Sequence, residues 1–217
     1  ARVALDESLA LARTLGDLTR EVFALNRLGA VYIQVDLAQC ERFLMEVHTR
    51  AVVAGNRERA MTALNNLGMV AYERKDYSLA RDNFQQALAL ARETGVQDMV
   101  ALGLINLADA DILLGNLSAA RAGLHEGLTY SLRLGILRLV VAAVTDFANL
   151  AYAAGQTERM LALYGLARRQ PAWSSDSQHG LDEMLAQCAL DPAVVEAGMA
   201  RGAELDWDKT IQELLKT

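Results

Sequence analysis

"LNNLGMVAYERKDYSLARDNFQQALALARETG", residues 64–95, decides the fold through its spacing. Counting Leu67 as position 7 of a unit places Gly68 at 8, Ala80 at 20, Phe84 at 24 and Ala87 at 27. Small residues at 8, 20 and 27 let the backbones of two antiparallel helices approach, and a large residue at 24 fills the gap beside them. The polar break "RKDY" separates the two helices. Gly95 supplies the left-handed residue that ends the second.

Outward from this unit the pattern repeats. Gly16, Gly55, Gly95 and Gly135 stand at intervals of 39, 40 and 40 residues, each between two apolar-periodic runs. A second set of breaks lies midway, with Asp36, Asp76, Asn116 and Gln156 each 40 apart. No proline occurs between Ala1 and Gln170, and Ala, Leu, Arg, Glu and Gln dominate, so sustained helix meets no local obstacle. The following units offer Ala108, Ala120, Leu124 and Gly127, then Ala148, Met160, Tyr164 and Ala167. In the preceding one Gly29 fits, and a one-residue deletion near Asp36 brings Cys40 and Leu44 into the slots at 20 and 24.

The arrangement "L-G…A-x3-F-x2-A" resembles the tetratricopeptide repeat, in the longer 40-residue style of kinesin light chains and bacterial signalling regulators. Met160 departs from the alanine that the pattern places at 20. The resemblance implies an all-α fold, a right-handed α–α superhelix of about four helical pairs over residues 1–170, acting without catalysis as a binding module. The opening "ARVALDESLALARTLGD" reads as the second half of a repeat already under way, which with Ala1 in place of Met makes the chain the expected fragment of a longer one.

At residues 171–180 Pro171, a run of serines and Gly180 break the periodicity, so a linker is expected there. Three short helical patterns follow over 181–217, "LDEMLAQCAL", "DPAVVEAGMARG" and "LDWDKTIQELLKT", read as a C-terminal helical cap. Glu196, Ala197, Ala200, Gly202 and Leu205 resemble the helix "E-A…A-x-G-x-x-L" that closes such arrays in STAND-type ATPases and LuxR-type activators. That resemblance implies a sensing or regulatory part of a larger bacterial signalling or transcription regulator.

Composition excludes several other roles. With 53% hydrophobic residues among 217, the chain has enough apolar material for a substantial core. A net charge of −6 gives no general reason to bind phosphates, so neither nucleic acid nor an anionic membrane is an expected partner. No apolar run reaches the roughly 18 residues of a membrane helix, and the start lacks a signal pattern, so the expected location is cytoplasmic.

No constellation of catalytic or metal-ligating residues emerges. Cys40 falls in a small-residue packing slot, and two cysteines do not make a disulfide scaffold. His48, His125 and His179 fall on two second helices and in the linker without metal-ligand spacing. "LGNLSAARAG" lacks the Lys-Ser/Thr of a phosphate loop. No metal and no cofactor is expected, and the chain is read as not an enzyme.

What remains is the face of the first helices. At 100° per residue, positions 2, 5, 6, 9, 12 and 13 occupy one sector, which in a stacked array lines a concave groove. It carries Phe23, Asn26, Arg27 and Gln34; Thr62, Asn65, Asn66, Met69, Tyr72 and Glu73; Asn106, Asp109 and Ile112; and Thr145, Asp146, Asn149 and Tyr152. Asparagine disfavours helix interiors, yet recurs in them. The resemblance to kinesin light chains implies that Asn66 and Asn106, with Asn26 and Asn65 one place earlier, bond the backbone of an extended peptide, since an amide both donates and accepts. The expected partner is thus a protein or extended peptide segment, of another chain or of this one, and a homodimer is compatible. Two alternatives stay open for the amides and the array. The amides could bond one another and fix stacking. The array could be a scaffold restraining a switch domain, or sense a small molecule if it has a closed pocket.

Overall fold

Several of the expected breaks mark helix ends with an identifiable local cause. A computed structural model describes residues 2–17, 20–21, 23–25, 27–28 and 36–216. It contains, in chain order, α1 (Arg2–Leu15), α2 (Leu37–Val53), α3 (Arg57–Glu73), α4 (Tyr77–Thr94), α5 (Gln97–Leu113), α6 (Leu117–Leu134), α7 (Leu137–Ala153) and α8 (Thr157–Ala167). Three helices follow: α9 (Ser175–Cys188), α10 (Pro192–Ala203) and α11 (Trp207–Leu214). No strand occurs among the described residues.

Asp36 and Asp76 cap α2 and α4, their carboxylates accepting from the amides of Gln39 and Leu79. A side-chain acceptor at that place satisfies one of the donors a helix start leaves unpaired. Asn116 occupies the same register ahead of α6 but turns its amide to Asp111 at 2.9 Å. Gly95 and Gly135 end α4 and α6 at φ 73° and 67°, the left-handed region where a Cβ would clash.

The chain divides within α5 into two compact units, Ala1–Met99 and Val100–Thr217. In the first, α3 packs against α4 and α2 against α3. Gly68 sits so close to Phe84 that a Cβ would overlap the ring, and Phe84, Ala80 and Ala87 are all buried. Cys40 and Leu44 fill the matching slots of α2, packed with Val70 of α3. A second cluster joins Leu9, Leu25, Leu28, Val47 and Ala63.

In the second unit one continuous core runs through α5, α6, α7 and α8 and takes in Leu181, Ile211 and Leu214 from the last helices. Gly127 abuts Ile105 and Leu104 of α5, so its lack of a side chain sets that helix spacing. Met160, larger than the alanine of the pattern, is fully buried in the same core. Helices α8 and α10 approach backbone to backbone. A Cβ at Gly165 would overlap the Met199 carbonyl, one at Gly202 the Ala162 carbonyl, and one at Gly198 the Leu161 side chain. Three glycines thereby bring two backbones into contact, and Arg169 donates to the Ala203 carbonyl beside them. Gly202 of the closing motif has this packing role.

The expected break at 171–180 is narrower than composition suggests. Ser174 accepts from the Ser177 amide and starts α9 at Ser175, so residues 175–180 are helical and His179 lies on a helix, 3.7 Å from Glu183. Serine and glycine read as breakers when counted together. A serine at the cap position starts a helix instead.

Candidate functional site

The first-helix faces are built in a 40-residue register that the fold makes explicit. Asn66, Asn106 and Asp146 stand at one place of α3, α5 and α7; Met69, Asp109 and Asn149 at the next turn; Tyr72, Ile112 and Tyr152 at the one after. Asn26 and Gln34 lie outside the described residues, while Phe23 and Arg27 are exposed.

In the first unit Asn66, Met69 and Tyr72 are half-buried on α3, open on one side and packed on the other. Asn65 is buried, 6% exposed, and its amide donates to the Asn66 carbonyl oxygen at 3.5 Å. It therefore belongs to the packed side of the helix. Tyr72 meets Tyr77 of α4 edge-on, ring centres 5.4 Å apart, which fixes its ring beside the amides.

In the second unit the face carries acids. Asn106, Asp109 and Asn149 are half-buried, Asp146 is 9% exposed, and Ile112 at 7% exposed joins the core instead of the face. One helical turn beyond Asp109, a residue that packs inward is a rotation of under one position, too small for periodicity to place. Asn149 donates to Asp146 at 3.5 Å and accepts from the Tyr164 hydroxyl of α8 at 2.5 Å. This amide is therefore held by the fold.

Burial, and then the charge of Asp109, push the Asp146 carboxyl well above the usual carboxylate range, with the Asn149 amide opposing them. Burial and the two aspartates raise the Tyr164 phenol as well. These residues form one polar cluster across α5, α7 and α8. Trp173 packs edge-on against Tyr164 with ring centres 6.5 Å apart, and its indole N–H is buried without a partner in the structure.

Tyr152, read from the sequence as an open face residue, is half-buried against the second unit's core, and the neighbouring Cys188 thiol of α9 raises its phenol above the ordinary value. Sequence spacing could not signal this, because it joins a residue of a repeat to one of the tail, which follows no repeat.

Elsewhere the chemistry is sparse. Burial drives the Cys40 thiol up to about 11, with Arg74 opposing and Glu41 adding, so it is a packing residue. Burial and Arg121 lower the His125 imidazole, which meets Phe147 edge-on. An open concavity of about 550 Å³ along α6 is lined by Ser118, Arg121, His125, Glu126 and Tyr130. Among the described residues no cluster of His, Cys, Asp and Glu could hold a metal ion. No described helix is long and apolar enough to cross a membrane.

Antiparallel helix pairs repeated at this spacing, with small residues at the crossing points, define an all-α fold of the tetratricopeptide type. The tetratricopeptide repeat family model matches residues 21–93 and, overlapping them, 59–126. This stretch is a tetratricopeptide repeat domain. No curated protein matches the chain.

Proposed function

We propose that the chain is a non-catalytic module that binds a protein or an extended peptide through the first-helix faces of its repeats. Tetratricopeptide repeats are in general protein-interaction modules, which supports the coarse reading. The observation that carries it is the half-buried polar register of Asn66 with Met69 and Tyr72 in one unit, and of Asn106 with Asp109 in the other. An amide held half in a helix surface presents both a donor and an acceptor to a peptide unit. The acidic character of the second unit favours a basic residue in the ligand there. Within a cell the module serves as the sensing part of a larger cytoplasmic bacterial regulator, as the closing motif around Gly202 suggests.

The test selects peptides from a displayed library against the full chain. Asn66→Ala and Asn106→Ala, each alone, are expected to weaken the selected peptides at least tenfold while shifting the melting temperature by no more than a few degrees. A variant that melts far below the parent marks its amide as structural, and unchanged affinity in both removes the reading.

A further inference from the structure

Helix α1 carries a stripe of small and apolar residues that stays exposed. Ala4, Ser8, Leu11 and Leu15 follow one another at spacings of four, three and four, which puts them in one narrow sector of the helix. All four are exposed, and Leu11 at 58% and Leu15 at 62% are the two most exposed leucines among the described residues. The other side of α1 is engaged. Leu9 and Ala12 are buried, the former with Leu25, Leu28 and Val47, and Arg13, opposite the stripe, pairs with Glu21 and with Glu46 of α2.

The complete helix pairs show what covers such a stripe. Measured from the closing glycine, the same places are Gly123, Gly127, Tyr130 and Leu134 on α6, and Asn83, Ala87, Leu90 and Thr94 on α4; none of these is exposed. On α6 the cover is α5, the first helix of its pair. A Cβ at Gly123 would stand 3.3 Å from the Ala108 side chain and 3.4 Å from the Leu104 carbonyl oxygen, and one at Gly127 would stand 3.0 Å from Ile105. Ala4 and Ser8 hold the places of those two glycines, so the stripe of α1 continues the surface on which an antiparallel helix lies in the pair α5–α6.

The order of residues within the stripe identifies the occupant. Turned end for end, Ala4 exchanges place with Leu15 and Ser8 with Leu11, because both pairs share the midpoint between Leu9 and Ala10. Two copies of α1 laid antiparallel about a two-fold axis at that midpoint set each leucine over a small residue of the other copy. Large meets small at every place, and the backbones come close. We propose that a second copy of this chain docks α1 on α1, antiparallel, in the slot that a first helix fills in the complete pairs. Such an interface is isologous, and the exposed leucines are the apolar patch that drives it. One helix-on-helix contact buries less than the roughly 1,200 Å² of a standard interface, so the dimer is weak and forms in the micromolar range.

Sedimentation velocity of the full chain, from about 1 µM to about 200 µM, is expected to show the mass rising from one chain toward two. Leu11→Glu sets a carboxylate against the apolar stripe of the other copy without touching the buried side of α1. It is expected to weaken dimerisation at least tenfold at unchanged helicity in circular dichroism. Ala4→Leu alone brings large side chains together and is expected to weaken it too, whereas Ala4→Leu with Leu15→Ala restores the exchange of large and small and is expected to dimerise like the parent. A parent that stays a single chain at the highest concentration overturns the proposal and leaves the stripe to a helix of another protein. So does a dimer indifferent to Leu11→Glu, which lies on another face, or a double variant no better than Ala4→Leu, which denies the antiparallel register.

Should Leu11→Glu lower the helicity, cross-linking decides. With Cys188→Ser leaving only the buried Cys40, an equal mixture of Ser8→Cys chains and Leu11→Cys chains is expected to form disulfide-linked pairs under mild oxidation faster than either variant alone. Equal rates in the mixture and in the separate variants overturn the proposal.

Discussion

Asp146 shows how a single residue couples the candidate face to pH. Its carboxyl is raised in the folded chain by burial and by Asp109 of α5, with Asn149 opposing and the Tyr164 phenol close by on α8. The folded state then holds a proton at pH values where the unfolded chain has released it. Stability falls as pH rises from the ordinary carboxylate range through the raised folded value, and is regained on acidification. The melting temperature should therefore fall with rising pH across that transition. Asp146→Asn keeps the shape without the charge and should flatten that dependence while stabilising the chain above the transition. A variant whose melting temperature still falls with pH like the parent's would place the titration elsewhere.

Two further residues carry predictions at this scale. Lys75 adopts φ 62° at the place where Gly115 and Gly155 stand at 79° and 75°. Relief of a left-handed non-glycine, offset by the extra freedom glycine has when unfolded, should make Lys75→Gly more stable by about 0.5–1 kcal/mol in denaturant titration. The Cys40 thiol, buried and raised to about 11, should react with a thiol reagent only on unfolding, while half-buried Cys188 reacts in the native state.

The helix pairs depend on small residues, and the cost of enlarging them tests the packing directly. In the first unit Ala80 is fully buried at the α3–α4 crossing, so Ala80→Leu forces helices apart that meet through Gly68 and Phe84. A loss of about 1–3 kcal/mol is expected from overpacking, read as a lower denaturant midpoint. In the second unit the α8–α10 seam leaves no room at Gly202, where a Cβ would meet backbone and not a side chain that could turn away. Gly202→Ala should cost at least as much, and an unchanged midpoint would show that α10 can slide along α8.

Over the whole molecule, the last three helices complete the second unit's core. Leu181, Ile211 and Leu214 belong to the same buried cluster as Phe147, Leu161 and Tyr164, so the array has no finished surface without them. Deleting residues 181–217 should expose that apolar flank and produce aggregation in size-exclusion chromatography, as terminal repeats need a polar cover. A truncated chain that stays monomeric and equally helical would mark the tail as an appendage.

The amino-acid sequence by itself determined the helical pairs. Gly95 and Gly135, Asp36 and Asp76, and the small residues Gly68, Ala80 and Ala87 act through contacts a few residues away or through one repeated crossing, and such causes leave a period in the chain. The outline of a polar first-helix face was legible for the same reason. Tertiary structure decided which of those side chains the fold itself claims. Asn65 and Ile112 turn inward, Asn149 is bonded by Tyr164, and Asp146 is buried against Asp109, because each depends on the approach of another helix at ångström distance, which spacing does not encode. The burial of Leu181 in one core with Phe147 and Tyr164 was further out of reach, since it joins an aperiodic segment to a periodic one, and no repeat carries that contact.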